Sequence, residues 1–354
     1  MTSSDTIHND KWSPALLEWF ASHGRDLPWR QDRDPYKVWV SEIMLQQTKV
    51  EAVKPYYDSW MDHFPTIQSL AQASQDDVLR QWQGLGYYSR AKNLHAAVCE
   101  VQTAYGGKVP SDRAAMLSLK GVGDYTAGAI LSLAYGKPEA AVDGNVLRVF
   151  ARIYNITDNI LTSAVKKTVT DLVLQQMPSD QPGRFNEALM DFGALVCIPK
   201  HPRCHECPLT SWCQAKLHGV ENDLPVRIVK KHTPTDEITV AVVEQRHAWL
   251  IHRRPEKGLL SSMWEFPNAL GKGEEGRLSV QDLLAEEGLT VRLEEEPIGE
   301  IKHVFSHRKW QMVVYNCIVL KNSFQAKEDW QWLDRTRYTE VPWAGPHGKI
   351  TAWL

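Results

Sequence analysis

The chain has 354 residues, of which 43% are hydrophobic and 23% charged, and its net charge is −3. This composition is that of a globular protein and excludes a mostly disordered or collagen-like chain. The charge excludes a uniformly basic protein that coats nucleic acid, but not an enzyme with a local basic groove. A chain of this length predicts about two domains.

The sequence contains no sign of membrane insertion or secretion. No apolar run approaches the ~20 residues that a membrane-spanning helix needs. Residues 1–10 are polar and lack the basic-then-apolar pattern of a signal peptide. We therefore expect no membrane contact and a location in the cytoplasm.

The first part of the chain is predicted to be helical, which gives a helical domain over residues 1–218. Apolar residues recur every three or four positions, and short loops with proline or glycine separate the periodic segments. This spacing occurs in Val38–Val53, Val78–Leu85, Ala91–Val101, Met116–Leu133 and Val146–Ile153.

The helical periodicity of the sequence is lost in residues 219–235, which are predicted to form a linker. Residues 236–354 then read as an α+β domain, because apolar and β-branched residues form short strand-like runs. Strands are predicted at Ile238–Val243, Trp249–Ile251, Gly299–Val304 and Met312–Leu320, and a helix at Ser279–Glu287.

Residues 116–130 carry the strongest local signal of the first domain. Two predicted helices meet at Gly121 and Gly123, which bracket the apolar Val122. The glycines permit a tight backbone with positive φ, and their N–H groups together with the next helix N-terminus can hold an anion. The pattern resembles a helix–hairpin–helix motif, which binds a DNA phosphate without reading bases, although a plain helical corner would look similar.

Glu42 lies on the apolar stripe of a predicted helix that includes residues 41–48, between Val38 and Leu45. Removal of a carboxyl group from water raises its pKa, which suits a general acid. A glutamate at the edge of the stripe, with its head in solvent, would give the same pattern.

Asp143 precedes a predicted helix at the position of an N-cap. Backbone N–H donors and the helix dipole would keep this carboxylate ionised, which suits an anion facing a developing positive charge. A helix cap with no other role is the alternative. Together, Glu42 and Asp143 resemble the acid and the anion that cleave a glycosidic bond through an oxocarbenium-like sugar.

Four of the six cysteines are clustered in the loop 197–213. In a cytosolic chain such clustering indicates a metal site rather than disulfides. Four thiolates bind either zinc or a [4Fe–4S] cluster. The close spacing, with a single Cys-x-x-Cys pair, favours the [4Fe–4S] cluster and leaves zinc as the alternative for Cys197, Cys204, Cys207 and Cys213.

With further motifs, the chain resembles the adenine DNA glycosylases (MutY family) of the helix–hairpin–helix superfamily over essentially its whole length. The resemblance implies an N-terminal all-α glycosylase domain with an iron–sulfur cluster loop and a C-terminal α+β Nudix (MutT-like) domain. The matching stretches, besides the cysteines, are Leu27–Arg30, Pro35–Trp39, Ser41–Thr48, Gly84–Arg90, Leu119–Ile130 and Val142–Arg148.

The same resemblance implies a bacterial base-excision-repair enzyme, acting as a monomer on nucleoid DNA, that removes adenine paired with 8-oxoguanine or with guanine. Glu42 would protonate the adenine and Asp143 would stabilise the sugar cation, with Tyr125 and Asn145 holding the nucleotide and Asp143. The implied base and DNA contacts are Arg30 and Glu187 in the adenine pocket, Gln47 and Tyr87 as wedges, and Phe305, Ser306 and His307 at the 8-oxoguanine.

Endonuclease III-like glycosylase/lyases are the nearest alternative. They carry a lysine that forms a Schiff base at the position of Tyr125, and a phenol cannot form an imine. We therefore expect a monofunctional glycosylase.

Two further alternatives exist for the function. One is nucleotide pyrophosphohydrolase activity in the C-terminal domain, and the other is electron transfer through the cluster. The glutamate-rich metal-binding pattern of Nudix hydrolases matches only at Glu286 and Gly288, with Asp282 as an approximate substitute. Because divalent metal needs several carboxylates, we expect no pyrophosphatase activity. The resemblance makes the cluster chiefly structural.

Overall fold

The structure of the chain is a computed structural model that describes residues 11–228, 233–305 and 307–354. Ser306, predicted to contact 8-oxoguanine, and part of the predicted linker therefore lie outside the described residues. Among the described helices, none combines the length and the apolar character that crossing a membrane requires.

Mutual contacts divide the described residues into two compact units. The first unit contains residues 11–72 and 93–228, and the second contains residues 73–92 together with 233–354. The sequence-based division assigns residues 73–92 to the helical domain. Grouping by contacts instead assigns them to the C-terminal unit, a long-range association that no local pattern encodes.

The first unit is helical, as predicted. Its core includes Trp12 and three buried phenylalanines, Phe150, Phe185 and Phe192. The helices are α1 (Ser13–His23), α2 (Pro35–Leu45), α3 (Val50–His63), α4 (Ile67–Gln72), α5 (Gln75–Gln81, in the second unit), α6 (Ser89–Ala104, starting in the second unit), α7 (Arg113–Ser118), α8 (Asp124–Leu133), α9 (Gly144–Ile153), α10 (Ser163–Gln176), α11 (Pro182–Leu195) and α12 (Gln214–His218).

The predicted helix that includes residues 41–48 extends too far, because α2 ends at Leu45 and α3 begins at Val50. The chain leaves α2 where Gln46 has ψ 114° and Gln47 has φ 57°. Gln47 therefore lies in a turn rather than within a helix. Periodicity did not reveal the break because α3 continues with its own buried stripe.

The second unit is α+β, as predicted. Along its sheet the strand order is β3-β2-β1-β7-β5, with β4 beside β1, β6 beside β7 and β8 beside β2. Its elements are β1 (Thr235–Gln245), β2 (Ala248–Arg253), β3 (Trp264–Glu265), β4 (Asn268–Leu270), α13 (Gly273–Glu286), β5 (Leu289–Leu293), β6 (Gly299–Val304), β7 (Lys309–Asn322), β8 (Trp330–Asp334) and α14 (Gly345–Gly348).

Strand β1 lies in the middle of this sheet and pairs in parallel with β7. Because successive strand residues point to opposite faces, β1 contributes to two cores. Val240 and Val242 pack in one core, and Ala241 and Val243 pack in the other, where α13 covers the sheet. This explains why the strand reads as a continuous apolar run.

Candidate active site

Glu42 and Asp143 line one cavity of about 890 Å³ in the first unit. Tyr125, Asn145 and Glu187 line the same cavity. These side chains come from α2, α8, α11 and the start of α9, so the fold brings together residues that are far apart in the sequence. The two carboxyl groups predicted to act as a pair thus face one space.

Glu42 is buried in this cavity, with 4% of its surface exposed. Burial raises its pKa to about 7, and the carboxyl groups of Asp143 and Glu187 act in the same direction. The hydrogen bond from Tyr125 and the charge of Arg30 lower it, but by less. A large share of Glu42 is therefore protonated at neutral pH, as the apolar stripe predicts for a proton donor.

Tyr125 lies in the first turn of α8, directly after the hairpin. Its hydroxyl donates a hydrogen bond of 2.6 Å to Oε2 of Glu42, and it lies 3.9 Å from Sδ of Met190. Burial raises the pKa of Tyr125 well above its usual value, and the neighbouring carboxyls of Glu42 and Asp143 add to this. The phenol therefore keeps its proton and orients the carboxyl group of Glu42.

Asp143 is the N-cap of α9, where the sequence predicts it. Oδ1 accepts a 2.8 Å hydrogen bond from the backbone N–H of Val146, and Oδ2 accepts one of 2.8 Å from Nδ2 of Asn145. Burial raises the pKa of Asp143 above its usual value, although these donors lower it. The expectation that capping alone sets its protonation was therefore incomplete, because the cap is itself largely removed from water.

Arg148, one turn further along α9, connects Asn145 to the cysteine loop. Its Nη2 donates to Oδ1 of Asn145 at 2.9 Å and to the carbonyl of Gly193 at 2.8 Å. Its Nε donates to the carbonyl of Cys197 at 2.9 Å. Arg148 was not predicted as a site residue, although its spacing of three from Asn145 on a helix was a usable signal.

Arginine–carboxylate pairs form one wall of the cavity. Arg33 binds both carboxylate oxygens of Glu187, at 2.8 and 2.9 Å. Arg30, a predicted site residue, binds both oxygens of Asp191, at 2.8 and 2.9 Å, and its Nε lies 3.4 Å from Oε1 of Glu187. Arg25 also binds Asp191. Sequence reasoning missed Arg25, Arg33 and Asp191 because the partners are more than 150 positions apart, as for Arg33 and Glu187 at 154.

The hairpin lies between α7 and α8, as predicted, with Gly121 and Gly123 lining the same cavity as Glu42 and Asp143. Gly121 has φ +80°, but Gly123 is extended at φ −105°, ψ −178°, so the predicted positive φ applies to Gly121 alone. Val122 is buried and anchors the turn. Gly123 caps α8 without a side chain, which leaves first-turn N–H groups for an anion.

The two predicted wedge residues have left-handed backbones. Gln47 (φ 57°) is exposed and lines the cavity of Glu42 and Asp143 in the first unit. Tyr87 (φ 49°) lies in the second unit and is 44% exposed, with the guanidinium of Arg90 at 5.4 Å from its ring centre. Non-glycine residues in this conformation cost free energy and are frequent at functional sites.

Tyr87 shares a cavity of about 620 Å³ with Phe305 and His307 in the second unit. Both residues follow the end of β6, in the connection to β7, as predicted. The ring of Phe305 lies edge-on to Trp310 at 5.1 Å. Residues 220 positions apart in the sequence therefore line one space that is large enough for a base.

The four clustered cysteines line one small cavity in the first unit. Nη1 of Arg152 donates to Sγ of Cys197 at 3.4 Å, and burial raises the pKa of the Cys207 thiol to about 11. In the described part of the chain, no three or more His, Cys, Asp or Glu side chains are placed to hold one metal ion. A [4Fe–4S] cluster, however, takes one thiolate on each of its irons rather than several on one ion. Four sulfurs around a shared cavity, with a buried guanidinium beside them, fit that donor set.

Comparisons with known proteins divide the chain into two parts, as do the helices and strands predicted from its sequence. Residues 40–175 match the HhH-GPD superfamily of base excision DNA repair proteins, and residues 239–353 match the NUDIX domain. The adenine DNA glycosylase of Rattus norvegicus is 36% identical over 85% of this chain and 69% of its own length. That of Homo sapiens is 34% identical over 85% and 66%. The Buchnera aphidicola (Schizaphis graminum) enzyme is 32% identical over 96% of this chain and 97% of its own length.

Solved structures match the first part of the chain. A thermostable thymine-DNA glycosylase has a TM-score of 0.54 and 30% identity, covering 58% of this chain and 95% of that one. A non-covalent endonuclease III–DNA complex has a TM-score of 0.50 and 22% identity over 58% and 94%. The second match is evidence of a shared fold only.

Proposed function

This chain belongs to the adenine DNA glycosylase family, and from that membership we propose that it removes adenine paired with 8-oxoguanine, or with guanine, from double-stranded DNA. The family makes it a DNA N-glycosylase of base excision repair. We propose that it hydrolyses the N-glycosidic bond and leaves the strand intact. The observation that carries this proposal is the cavity shared by the buried Glu42 and the capped carboxylate of Asp143.

The reaction begins when adenine leaves the base stack, because a stacked base cannot reach a buried carboxyl group. Glu42, with a pKa of about 7, then donates its proton to a ring nitrogen of the adenine. Protonation makes the base a better leaving group, and positive charge develops on the deoxyribose as the bond breaks. Asp143, held by Asn145 and the N–H of Val146, stabilises that charge until water adds to the sugar and releases its proton to the Glu42 carboxylate.

The polar walls of the cavity are suited to hold the adenine. Tyr125 fixes the direction of the Glu42 carboxyl group, and Arg30 and Glu187 present a donor and an acceptor to the space. Purines carry both donors and acceptors on their edges, so convergent groups of both kinds can select one base. We assign these residues to adenine recognition.

We propose that the abasic product is not cut, because a phenol occupies the position of a Schiff-base lysine. Tyr125 cannot form an imine with the sugar. Lys49 also lines the cavity but is exposed at its edge. It is the residue to test if strand cleavage is observed.

We propose that Cys197, Cys204, Cys207 and Cys213 hold a [4Fe–4S] cluster with a structural role. The four thiolates would hold the cluster and so crosslink the loop 197–213, whose backbone Arg148 connects to Asn145. Four iron and four sulfide per chain, with a brown colour, are expected on analysis of the purified protein. One zinc ion per chain would contradict this assignment.

We propose that the cavity lined by Tyr87, Phe305 and His307 receives 8-oxoguanine or the DNA around it. Aromatic rings stack on a purine, and an imidazole hydrogen-bonds to its edge, so this lining suits an oxidised guanine. Gln47 would fill the space in the duplex, and the hairpin N–H groups would hold a backbone phosphate. Because one chain supplies both carboxylates, we infer that the protein acts as a monomer. We further propose that it acts on nucleoid DNA in the cytoplasm.

Incubation of the protein with duplex DNA that carries one adenine opposite 8-oxoguanine tests the proposal. Half of each sample is treated with hot alkali, which cuts the strand at an abasic site. We expect breaks only after alkali, and we expect Glu42→Gln and Asp143→Asn to lower the rate by at least about 100-fold, the scale of acid catalysis.

Each other outcome identifies a different error. Breaks without alkali would establish a lyase and direct attention to Lys49. Excision that is equally fast in the Glu42→Gln protein would reject the proposed acid. The absence of breaks in both halves, in a protein that holds its cluster, would reject adenine excision.

A further inference from the structure

Asp191, on α11 one turn after Glu187, has a side chain that is 0% exposed. Its carboxylate accepts hydrogen bonds from the backbone N–H, Nε and Nη2 of Arg25, at 2.9, 2.9 and 2.6 Å. It also accepts from Nη1 and Nη2 of Arg30, at 2.8 and 2.9 Å. Both arginines line the catalytic cavity, and Asp191 is not among the described residues that line it.

We propose that Asp191 is a positioning residue for adenine excision, which holds Arg25 and Arg30 in the cavity wall and neutralises the charge of Arg30, which faces Glu42. This inference rests on the proposed role of Glu42 as the acid. Five hydrogen bonds to one carboxylate fix the position of both guanidinium groups. A buried carboxylate that served no partner would be costly to retain.

The charges around Glu42 show why neutralisation matters. The groups that face it are Tyr125 from α8, Asp143 at the start of α9, Glu187 from α11 and Arg30 from the turn before α2. The carboxylates favour the protonated form of Glu42, and Arg30 favours the ionised form.

The ion pair of Arg33 with Glu187 and the ion pair of Arg30 with Asp191 therefore have opposite effects on the acid. Arg33 binds Glu187 and so weakens the effect by which the Glu187 charge favours protonated Glu42. Asp191 binds Arg30 and so weakens the effect by which the Arg30 charge favours ionised Glu42. Burial raises the pKa of Asp191, but Arg30 and Arg25 outweigh burial and lower it, so Asp191 stays ionised. Its negative charge is thus present throughout the pH range in which Glu42 titrates.

Substitution Asp191→Asn keeps the size of the side chain and removes the charge. The uncompensated arginines then favour ionised Glu42, so the proton needed for catalysis is lost at lower pH. We expect the alkaline limb of the single-turnover excision rate to move down by at least about half a pH unit, a modest shift for a nearby charge. At acid pH, where Glu42 is protonated in both proteins, the difference between the two rates should be smallest.

A second variant keeps the test decisive if Asp191→Asn folds poorly. Arg25 is partly exposed, at 26% of its side chain, and its replacement by Gln removes a positive charge. Arg25→Gln should move the alkaline limb up, and the charge-conserving Arg25→Lys should leave it close to that of the wild type. The double variant Arg25→Gln/Asp191→Asn should restore the limb toward its original position.

The controls separate this inference from the proposed function. If the wild type has no alkaline limb, or Glu42→Gln retains one, the role of Glu42 as the acid is wrong. If the wild type has the limb, Glu42→Gln removes it, and both charge variants lower the rate equally at every pH, Asp191 is merely structural. That last result would overturn the inference alone.

Discussion

At the scale of single residues, the catalytic cavity distinguishes two buried carboxyl groups by the donors that they meet. Burial raises the pKa of both Glu42 and Asp143. Glu42 accepts one hydrogen bond from a phenol, whereas Asp143 accepts from a backbone N–H and a side-chain amide at the start of a helix. We propose that the number and type of donors, rather than burial, suit one group to act as an acid and the other as an anion.

Removal of the Tyr125 hydroxyl should both slow excision and change its pH dependence. The hydrogen bond from Tyr125 lowers the pKa of Glu42, so Tyr125→Phe should raise that pKa further above about 7 and move the alkaline limb of the rate upward. Loss of the bond that orients the acid should cost about tenfold in rate at acid pH. Single-turnover rates across the pH range measure both effects. A limb that moves downward would contradict this sign.

At the scale of secondary-structure elements, interruptions of helices place residues at the cavity. Helix α2 ends at Leu45, and the turn that follows places Gln47 in the wall of the cavity. The hairpin places Tyr125 in the first turn of α8 and exposes N–H groups that lack a side-chain cap. The positive φ of Gln47 and of Gly121 makes these turns possible.

Substitution at the hairpin should depend on which glycine is changed. Gly121 has φ +80°, and an added Cβ would lie 2.6 Å from Cβ of Asn93, so Gly121→Ala should destabilise the protein by about 1–3 kcal/mol. An added Cβ at Gly123 meets nothing within 4 Å, and its extended backbone suits a capping serine. Urea unfolding should therefore show little loss for Gly123→Ser. Equal losses in the two variants would contradict this prediction.

At the scale of the whole molecule, contacts join parts of the chain that the sequence separates. Asp76 lies 2.7 Å from Nη2 of Arg253, and Nζ of Lys92 donates to Oγ of Ser261 and of Ser262, within the second unit. The segment 73–92 is thereby held to the C-terminal fold. Tyr87 owes its place beside Phe305 and His307 to that association.

The second unit also contains a buried ionic cluster around Glu265. Nη1 of Arg254 lies 2.6 Å from Oε2 of Glu265, and Nε2 of His347 lies 3.4 Å from the same oxygen. Burial lowers the pKa of His347 to about 4, although Glu265 opposes the shift. The N–H of Phe266 donates to Nδ1 of His347, which fits a neutral ring.

This cluster should make the second unit sensitive to acid. A histidine with a lowered pKa stabilises the fold fully above its unfolded value of 6.5, and this stability is lost as the pH falls toward about 4. Urea unfolding across this range should show a loss of up to about 3 kcal/mol from His347. His347→Gln should remove most of that slope, whereas His205→Gln, at a side chain that is 79% exposed, should retain it. Equal slopes in the two variants would contradict the assignment.

The sequence by itself determined the features that local patterns encode. The three- and four-residue periodicity gave the helical first part, the strand-like runs gave the α+β second part, and paired glycines located the hairpin. The apolar stripe made Glu42 a candidate and the position before a helix made Asp143 one, while their roles as acid and anion came from the resemblance to the glycosylase family. These features depend on neighbours within one or two turns of the chain, which a sequence displays directly.

Only the tertiary structure decided which distant groups meet. The pairing of Arg25 and Arg30 with Asp191, the parallel pairing of β1 with β7, and the grouping of residues 73–92 with the C-terminal unit left no local pattern. The raised pKa of Asp143 likewise depends on everything that excludes water from it. Burial and ion pairing are properties of the assembled core, because they arise from groups that folding brings together from separate parts of the chain.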